Sequence, residues 1–269
     1  GSLQLLHGMR PDGGSRPQVR PIDRRCRSAQ GRRCQRADQV TLPFLVSVPH
    51  AGLTVPPEAA PGCALTPREI AEDGDEGAAE IYLGLKPIVA AFHATDIARA
   101  IVDMNRSEGD RSRDGIVKTH TCWNVPVYRT PLSEDVARRL IERYHRPYHR
   151  MLTELAAGQA VRLAVDCHTM AATGPPVGPD KGKERPWVCL GCSDGTCPQD
   201  WIAALKSCFE ELIGPNVTIN DPFSGGYITR QHSTEMPWLQ LELSRAPFLS
   251  DLEKGRIVRA AFTALAERM

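Results

Sequence analysis

The sequence predicts an α/β three-layer sandwich on a mixed, largely parallel sheet, and three observations carry that prediction. Short apolar, β-branched runs alternate with stretches of helical periodicity through one chain. Two of those runs stop at a histidine, as strands do when their carboxyl ends open into a ligand crevice. From residue 41 onward neither a repeat nor a linker interrupts the pattern, so 41–269 reads as one catalytic-sized domain. Residues 1–40 differ, with nine arginines, no lysine and almost no apolar periodicity; they are expected to form a flexible extension.

Taken in order, Leu42–Val48 is a buried strand that ends at Pro49-His50-Ala51-Gly52. Thr66-Pro67-Arg68-Glu69 has the capping-box order with proline at the first helical position, and residues 77–86 continue in helical character up to Pro87. A second strand is predicted over 97–103, running into Met104-Asn105-Arg106. Residues 107–124 are then a polar loop, long enough in a compact domain to point to function. Across 133–157, Val136, Leu140, Tyr144, Tyr148, Met151 and Leu155 recur at three- and four-residue spacing, which predicts one long helix kinked at Pro147 and ended by Gly158. Strands are predicted at 161–167, 187–190, 217–219 and 238–243, with helices over 199–212 and 252–267.

Composition excludes several classes. The 269 residues carry 33 basic and 32 acidic side chains, a net charge of +1, so the chain has no field to draw it to nucleic acid or an anionic membrane. No apolar run approaches the roughly 18 residues of a spanning helix. Nine cysteines are an odd number and few for this length, which fits a reducing compartment. Leu3 to Leu6 is too short for the apolar part of an export signal, and a cytoplasmic placement is expected.

The residues able to carry chemistry cluster at strand ends. His50 and His168 each close a strand, and two neutral imidazoles plus one carboxylate form the ligand set of a catalytic zinc site that keeps a position open. The carboxylate has three candidates, Asp73, Asp75 and Glu76, which equally suit an acidic helix start. Glu242 stands inside the apolar run Leu239-Gln240-Leu241-Glu242-Leu243. There it is either a buried carboxylate with a raised pKa or part of a polar face with Gln240 and Ser244. Arg106, beside Asn105, and Arg230, after Gly225-Gly226, offer guanidinium forks for a carboxylate. Three further features are set aside as primary sites. His145 and His149 lie one helical turn apart without the glutamate of a metalloprotease motif and read as structural or as supporting a site from behind, and Cys189, Cys192 and Cys197 lack a fourth ligand and read as a chance cluster. Lys181-Gly182-Lys183 lacks the order of a phosphate loop.

Five segments taken in order, Ser47-Val48-Pro49-His50-Ala51-Gly52, Val102-Asp103-Met104-Asn105-Arg106, Val165-Asp166-Cys167-His168-Thr169-Met170, Pro222-Phe223-Ser224-Gly225-Gly226-Tyr227 and Leu239-Gln240-Leu241-Glu242-Leu243-Ser244-Arg245, resemble the N-formylglutamate amidohydrolase family. The resemblance implies a phosphorylase/hydrolase-like fold similar to that of zinc carboxypeptidases. It also implies one divalent metal, Zn²⁺, on His50, Asp75 and His168, with Glu242 as general base. Asn105, Arg106 and Arg230 would bind the carboxylates of a small substrate. The implied reaction cleaves an N-formyl or similar N-acyl amino acid, such as N-formylglutamate, to formate and the amino acid. Two other readings stand beside it: a related metal-dependent deacylase or carboxypeptidase-like hydrolase of different substrate, and a non-catalytic binding protein on the same fold.

Overall fold

The computed structural model of the chain describes residues 41–178 and 180–269. The Arg-rich extension expected over 1–40 lies outside the described residues. Six strands form one sheet: β1 (Leu42–Val48), β2 (Val89–Ala94), β3 (Leu163–Met170), β4 (Val188–Gly191), β5 (Val217–Ile219) and β6 (Trp238–Ser244). Their order is β2-β1-β3-β6-β4-β5. All neighbouring pairs are parallel except β4 with β6, so the sheet is mixed and largely parallel as predicted.

Strand side chains alternate between faces, and the two faces have separate cores. Phe44, Val46, Val165, Leu239 and Leu241 pack beneath α2 (Ala78–Tyr82), α5 (Gln199–Ile213) and α7 (Asp251–Arg268). On the opposite face Leu45, Ala164 and Trp238 meet α3 (Glu134–Leu140), α4 (Arg146–Ala156), α6 (Tyr227–His232) and the buried segment 98–104. Sandwiching the sheet between helical layers completes the three-layer form. The first helix, α1 (Pro67–Asp73), starts with the capping box the sequence predicts: Glu69 N–H donates to Thr66 Oγ1 while the Glu69 carboxylate accepts from Thr66 N–H.

Two expectations are corrected. The second strand is Val89–Ala94, not 97–103. Val89–Ala94 lies at the sheet edge and is mostly half-buried, and three of its six residues are alanine, a poor strand former, so its β signal is faint. Residues 98–104 are apolar because they are buried as irregular backbone. Their polar groups are met by turns, with Val102 N–H donating to Ala98 O and Asp103 N–H to Ile116 O. The long helix over 133–157 is divided: a π-helical turn, Ile141–His145, separates α3 from α4, and Pro147 sits in the first turn of α4. Proline there needs no hydrogen-bond partner, so the wider turn before it absorbs the kink predicted inside a continuous helix.

Candidate active site

Register creates the site. Along the shared face of β3 and β6, Ala164 lies beside Trp238, Asp166 beside Gln240 and His168 beside Glu242. The face therefore passes from apolar to polar toward the carboxyl ends, where β1 contributes His50 two residues beyond its last residue. Asp75 arrives from the loop after α1. Its N–H donates to His50 O at 3.1 Å, and Thr169 N–H donates to its Oδ2 at 3.1 Å, which ties that loop to both strands.

His50, Asp75 and His168 are all buried, and one ligand atom from each lies within 4.8 Å of the others. His168 Nδ1 is 2.9 Å from Asp75 Oδ2 and 3.1 Å from His50 Nδ1, while His50 Nδ1 is 3.5 Å from Asp75 Oδ1. Each imidazole turns its other nitrogen to a carboxylate: His50 Nε2–H donates to Asp103 Oδ1 and His168 Nε2–H to Asp166 Oδ2, both at 2.8 Å. With those protons on Nε2, two Nδ1 lone pairs and a carboxylate converge on one point, an arrangement that requires positive charge between them. The electrostatics agree. Burial disfavours charge on His168, but Asp166 and Asp75 outweigh it and hold its pKa well above the usual histidine range. Burial likewise opposes ionisation of Asp75, yet His50 and His168 hold its carboxyl well below the usual range. The donor set thus fits a divalent cation, with two imidazoles positioned by carboxylates behind them.

Glu242 is buried, and Gln240 Nε2 donates to its Oε1 at 2.7 Å. Burial raises its pKa, with His168 opposing and Asp75 adding to the rise, as suits a proton acceptor working near neutral pH. The dull alternative of a solvent-exposed polar face does not describe it. His50, Asp75, His168 and Glu242 line one cavity of about 500 Å³ together with Arg99, Arg106, Arg185, Arg230 and Arg245.

The cavity arginines are engaged unequally. Arg106 donates from Nη2 to Asp114 Oδ2 at 2.9 Å and from Nε to Asp114 O at 3.0 Å. Arg185 grips Asp180 with both Nε and Nη2. Arg230 donates to Gly225 O at 2.7 Å, and Nε of Arg245 is buried without a hydrogen-bond partner among the described residues. Asn105 is directed inward: its Oδ1 accepts from Ile228 N–H at 2.8 Å and its Nδ2 donates to Asp166 Oδ2 at 3.3 Å. This amide presses so closely on Gly226 that a Cβ there would lie 2.1 Å from it, which explains the glycine.

Of the three acidic candidates, Asp75 alone joins the histidines. Asp73 accepts from Lys118 Nζ at 3.1 Å and from Cys122 N–H at 2.7 Å, and Glu76 is exposed. Among the described residues no cysteine belongs to a metal-holding group; Cys189 donates to Phe223 O and Cys192 Sγ accepts from two side-chain amides. Lys181 and Lys183 are exposed. Sequence reasoning assigned no role to Asp103, Asp166, Gln240 or Arg245. The signal for Asp166 was present, since a carboxylate in the apolar run Ala164-Val165-Asp166-Cys167, two residues before a histidine, shares that histidine's face.

A mixed, largely parallel sheet whose polar strand ends border a cavity holding two histidines and buried carboxylates has the form of an α/β enzyme site, and the comparison with known proteins gives its family. The profile of the N-formylglutamate amidohydrolase family matches residues 42–249, and the chain belongs to that family. An N-formylglutamate deformylase of Pseudomonas putida is 26% identical over 230 residues, covering 80% of this chain and 85% of its own. One from Pseudomonas aeruginosa is 27% identical over 251 residues, 85% of this chain and 92% of its own. The crystal structure of an N-formylglutamate amidohydrolase from Ralstonia eutropha shares the fold, with a TM-score of 0.66 at 20% identity over 86% of this chain and 94% of its own. Among the described residues no helix is long and apolar enough to cross a membrane.

Proposed function

We propose that this chain hydrolyses N-formyl amino acids, N-formylglutamate first among them, as a zinc-dependent deformylase. The observation that carries the reading is the convergence of His50, Asp75 and His168 beside a buried carboxylate, in a chain of the N-formylglutamate amidohydrolase family. His50, Asp75 and His168 would hold the metal, which when bound supplies Lewis acidity that acidifies water and polarises a carbonyl oxygen. Asp103 and Asp166 keep both Nδ1 atoms unprotonated and aimed inward by accepting the Nε2 protons.

Glu242 takes one proton from the attacking water as its oxygen bonds to the formyl carbon. It returns that proton to the nitrogen as the carbon–nitrogen bond breaks, leaving formate and the free amino acid. Arg106 and Arg230, both lining the cavity, receive the substrate's carboxylates, and Asn105 holds the wall they stand on. Formate release from N-formyl-L-glutamate, measured before chelation, after it and after zinc is restored, tests the reading. Turnover should vanish and return. Full turnover by protein verified as metal-free would overturn the metal's role, and absence of formate from zinc-loaded protein would overturn the substrate.

One observation favours a second reading, hydrolysis of larger N-acyl groups. The cavity also carries exposed Trp123 and Val177, apolar surface that a formyl group does not need. Faster turnover of N-acyl-L-glutamates with longer acyl chains would support it.

A further inference from the structure

The paired histidines His145 and His149, read from sequence as structural or supporting, hold the backbone on either side of Asn105. His149 Nε2 lies 2.9 Å from Met104 O, and His145 Nε2 lies 2.8 Å from Arg106 O. A carbonyl only accepts, so both nitrogens carry protons. Neither histidine lines the main cavity. His145 closes the π-helical turn Ile141–His145 and His149 lies four residues on in α4, with ring centroids 4.3 Å apart and each ring facing one of two carbonyls two residues apart in another segment.

His149 is itself backed by a chain of contacts. With its proton on Nε2, its Nδ1 accepts from His232 Nε2 at 2.8 Å, and the two rings are nearly coplanar, 4° between planes. His232 Nδ1 then lies 2.9 Å from Glu235 Oε2, and Thr153 Oγ1 donates to Glu235 Oε1 at 2.7 Å. His149 remains neutral because burial pushes its pKa down to about 3, with His145 and His232 adding to the fall and the Met104 carbonyl resisting it.

We infer that His145 and His149 are positioning residues, which fix the Met104 and Arg106 carbonyls and thereby aim the Arg106 guanidinium into the cavity. The inference rests on the substrate-binding role proposed above for Arg106. Between the two clamped carbonyls, Asn105 N–H donates to Asp103 Oδ1 at 2.8 Å, so the same clamp steadies the carboxylate behind His50. A ring that merely filled space would be replaceable by phenylalanine. A clamp is replaceable only by a side chain that still donates, and glutamine places its Nε2–H near the histidine Nε2 position.

The test compares His149→Phe with His149→Gln in zinc-loaded protein, by kinetics on N-formyl-L-glutamate and by hydrogen exchange at the Asn105 amide. His149→Phe should raise KM about tenfold with kcat within about threefold, and speed exchange at Asn105 about tenfold, while His149→Gln stays near wild type in both. Equal KM and equal exchange in the two variants would overturn the inference. A wild-type protein without turnover would instead refute the proposed function, and the exchange comparison would still decide the clamp. His145→Phe against His145→Gln makes the same comparison at the Arg106 carbonyl should His149→Phe fail to fold.

Discussion

The two faces of β3 and β6 are built from the same two strands and do opposite things. One face presents Leu163, Val165 and Cys167 beside Leu239, Leu241 and Leu243, all buried under α5 and α7. The other presents Ala164, Asp166 and His168 beside Trp238, Gln240 and Glu242. Period-two alternation makes the division sharp, because a single-residue slip would exchange the core for the site. The difference teaches where stability and chemistry separate: substitutions on one face should act on folding, those on the other on turnover.

Glu242→Gln probes the site face and has the largest expected effect, a loss of about a hundredfold to ten-thousandfold in kcat, the usual contribution of a general base. Folding should be unharmed. Burial raises the pKa of Glu242, so the folded state disfavours its charge, and a neutral amide of the same shape removes that strain. Thermal melting and metal content measured beside the assay separate chemistry from collapse. A folded, metal-loaded variant with wild-type turnover would move the base elsewhere.

Leu241→Ala, one residue away on the core face, should do the reverse. Its side chain is fully buried, so truncation leaves a cavity and costs about 2–5 kcal/mol in urea unfolding. Turnover per folded molecule should stay within about threefold. A large fall in kcat at a temperature where the variant remains folded would show that the two faces are coupled.

Much of this division was legible in the sequence. Alternation in Leu239-Gln240-Leu241-Glu242-Leu243 offered both a buried and an exposed Glu242, and only β4, pairing antiparallel on one side while β3 pairs on the other, makes β6 central and its carboxylate buried. Asp75 was separable from Asp73 and Glu76 by resemblance but not by physics, since the choice depends on long-range partners: Lys118 and Cys122 engage Asp73 from 45 and 49 residues away. Asp103 and Asp166 escaped assignment although the argument applied to Glu242 applied equally to them, as carboxylates in apolar runs. The short helix α6 begins at a glycine pair and has six residues, too few for periodicity to show.

Arg106→Ala sharpens the comparison at the rim of the site face. A small substrate gains orientation from its carboxylates, so kcat/KM should fall about a hundredfold, carried mainly by KM. Arg106 also pairs with Asp114, and Arg106→Lys keeps that charge while losing the two-point fork. An intermediate loss is therefore expected for lysine. If both variants bind N-formyl-L-glutamate as wild type does, neutralising Asp114 is the role of Arg106, and Arg230 with Arg245 must receive the substrate.

The smallest effect concerns acid stability and lies behind the site rather than in it. His149 has a pKa of about 3 in the folded chain, lowered first by burial, against an ordinary value of 6.5. The unfolded chain therefore takes up a proton that the folded chain refuses. The stability this neutral ring permits is present above pH 6.5 and is lost as pH falls from 6.5 toward 3, at a slope set by the difference in bound protons. Between pH 7 and pH 5 the loss attributable to His149 should be on the order of 1–2 kcal/mol. Carboxylates with lowered values, such as Asp103, act mainly below that window. His149→Gln removes the titrating group while keeping a donor for Met104 O, so the urea-unfolding free energy of wild type should fall relative to that of the variant by that amount as pH goes from 7 to 5. A difference that stays constant across the window would mean that His149 is protonated in the folded chain, and that Met104 O is held by an imidazolium rather than by a neutral ring.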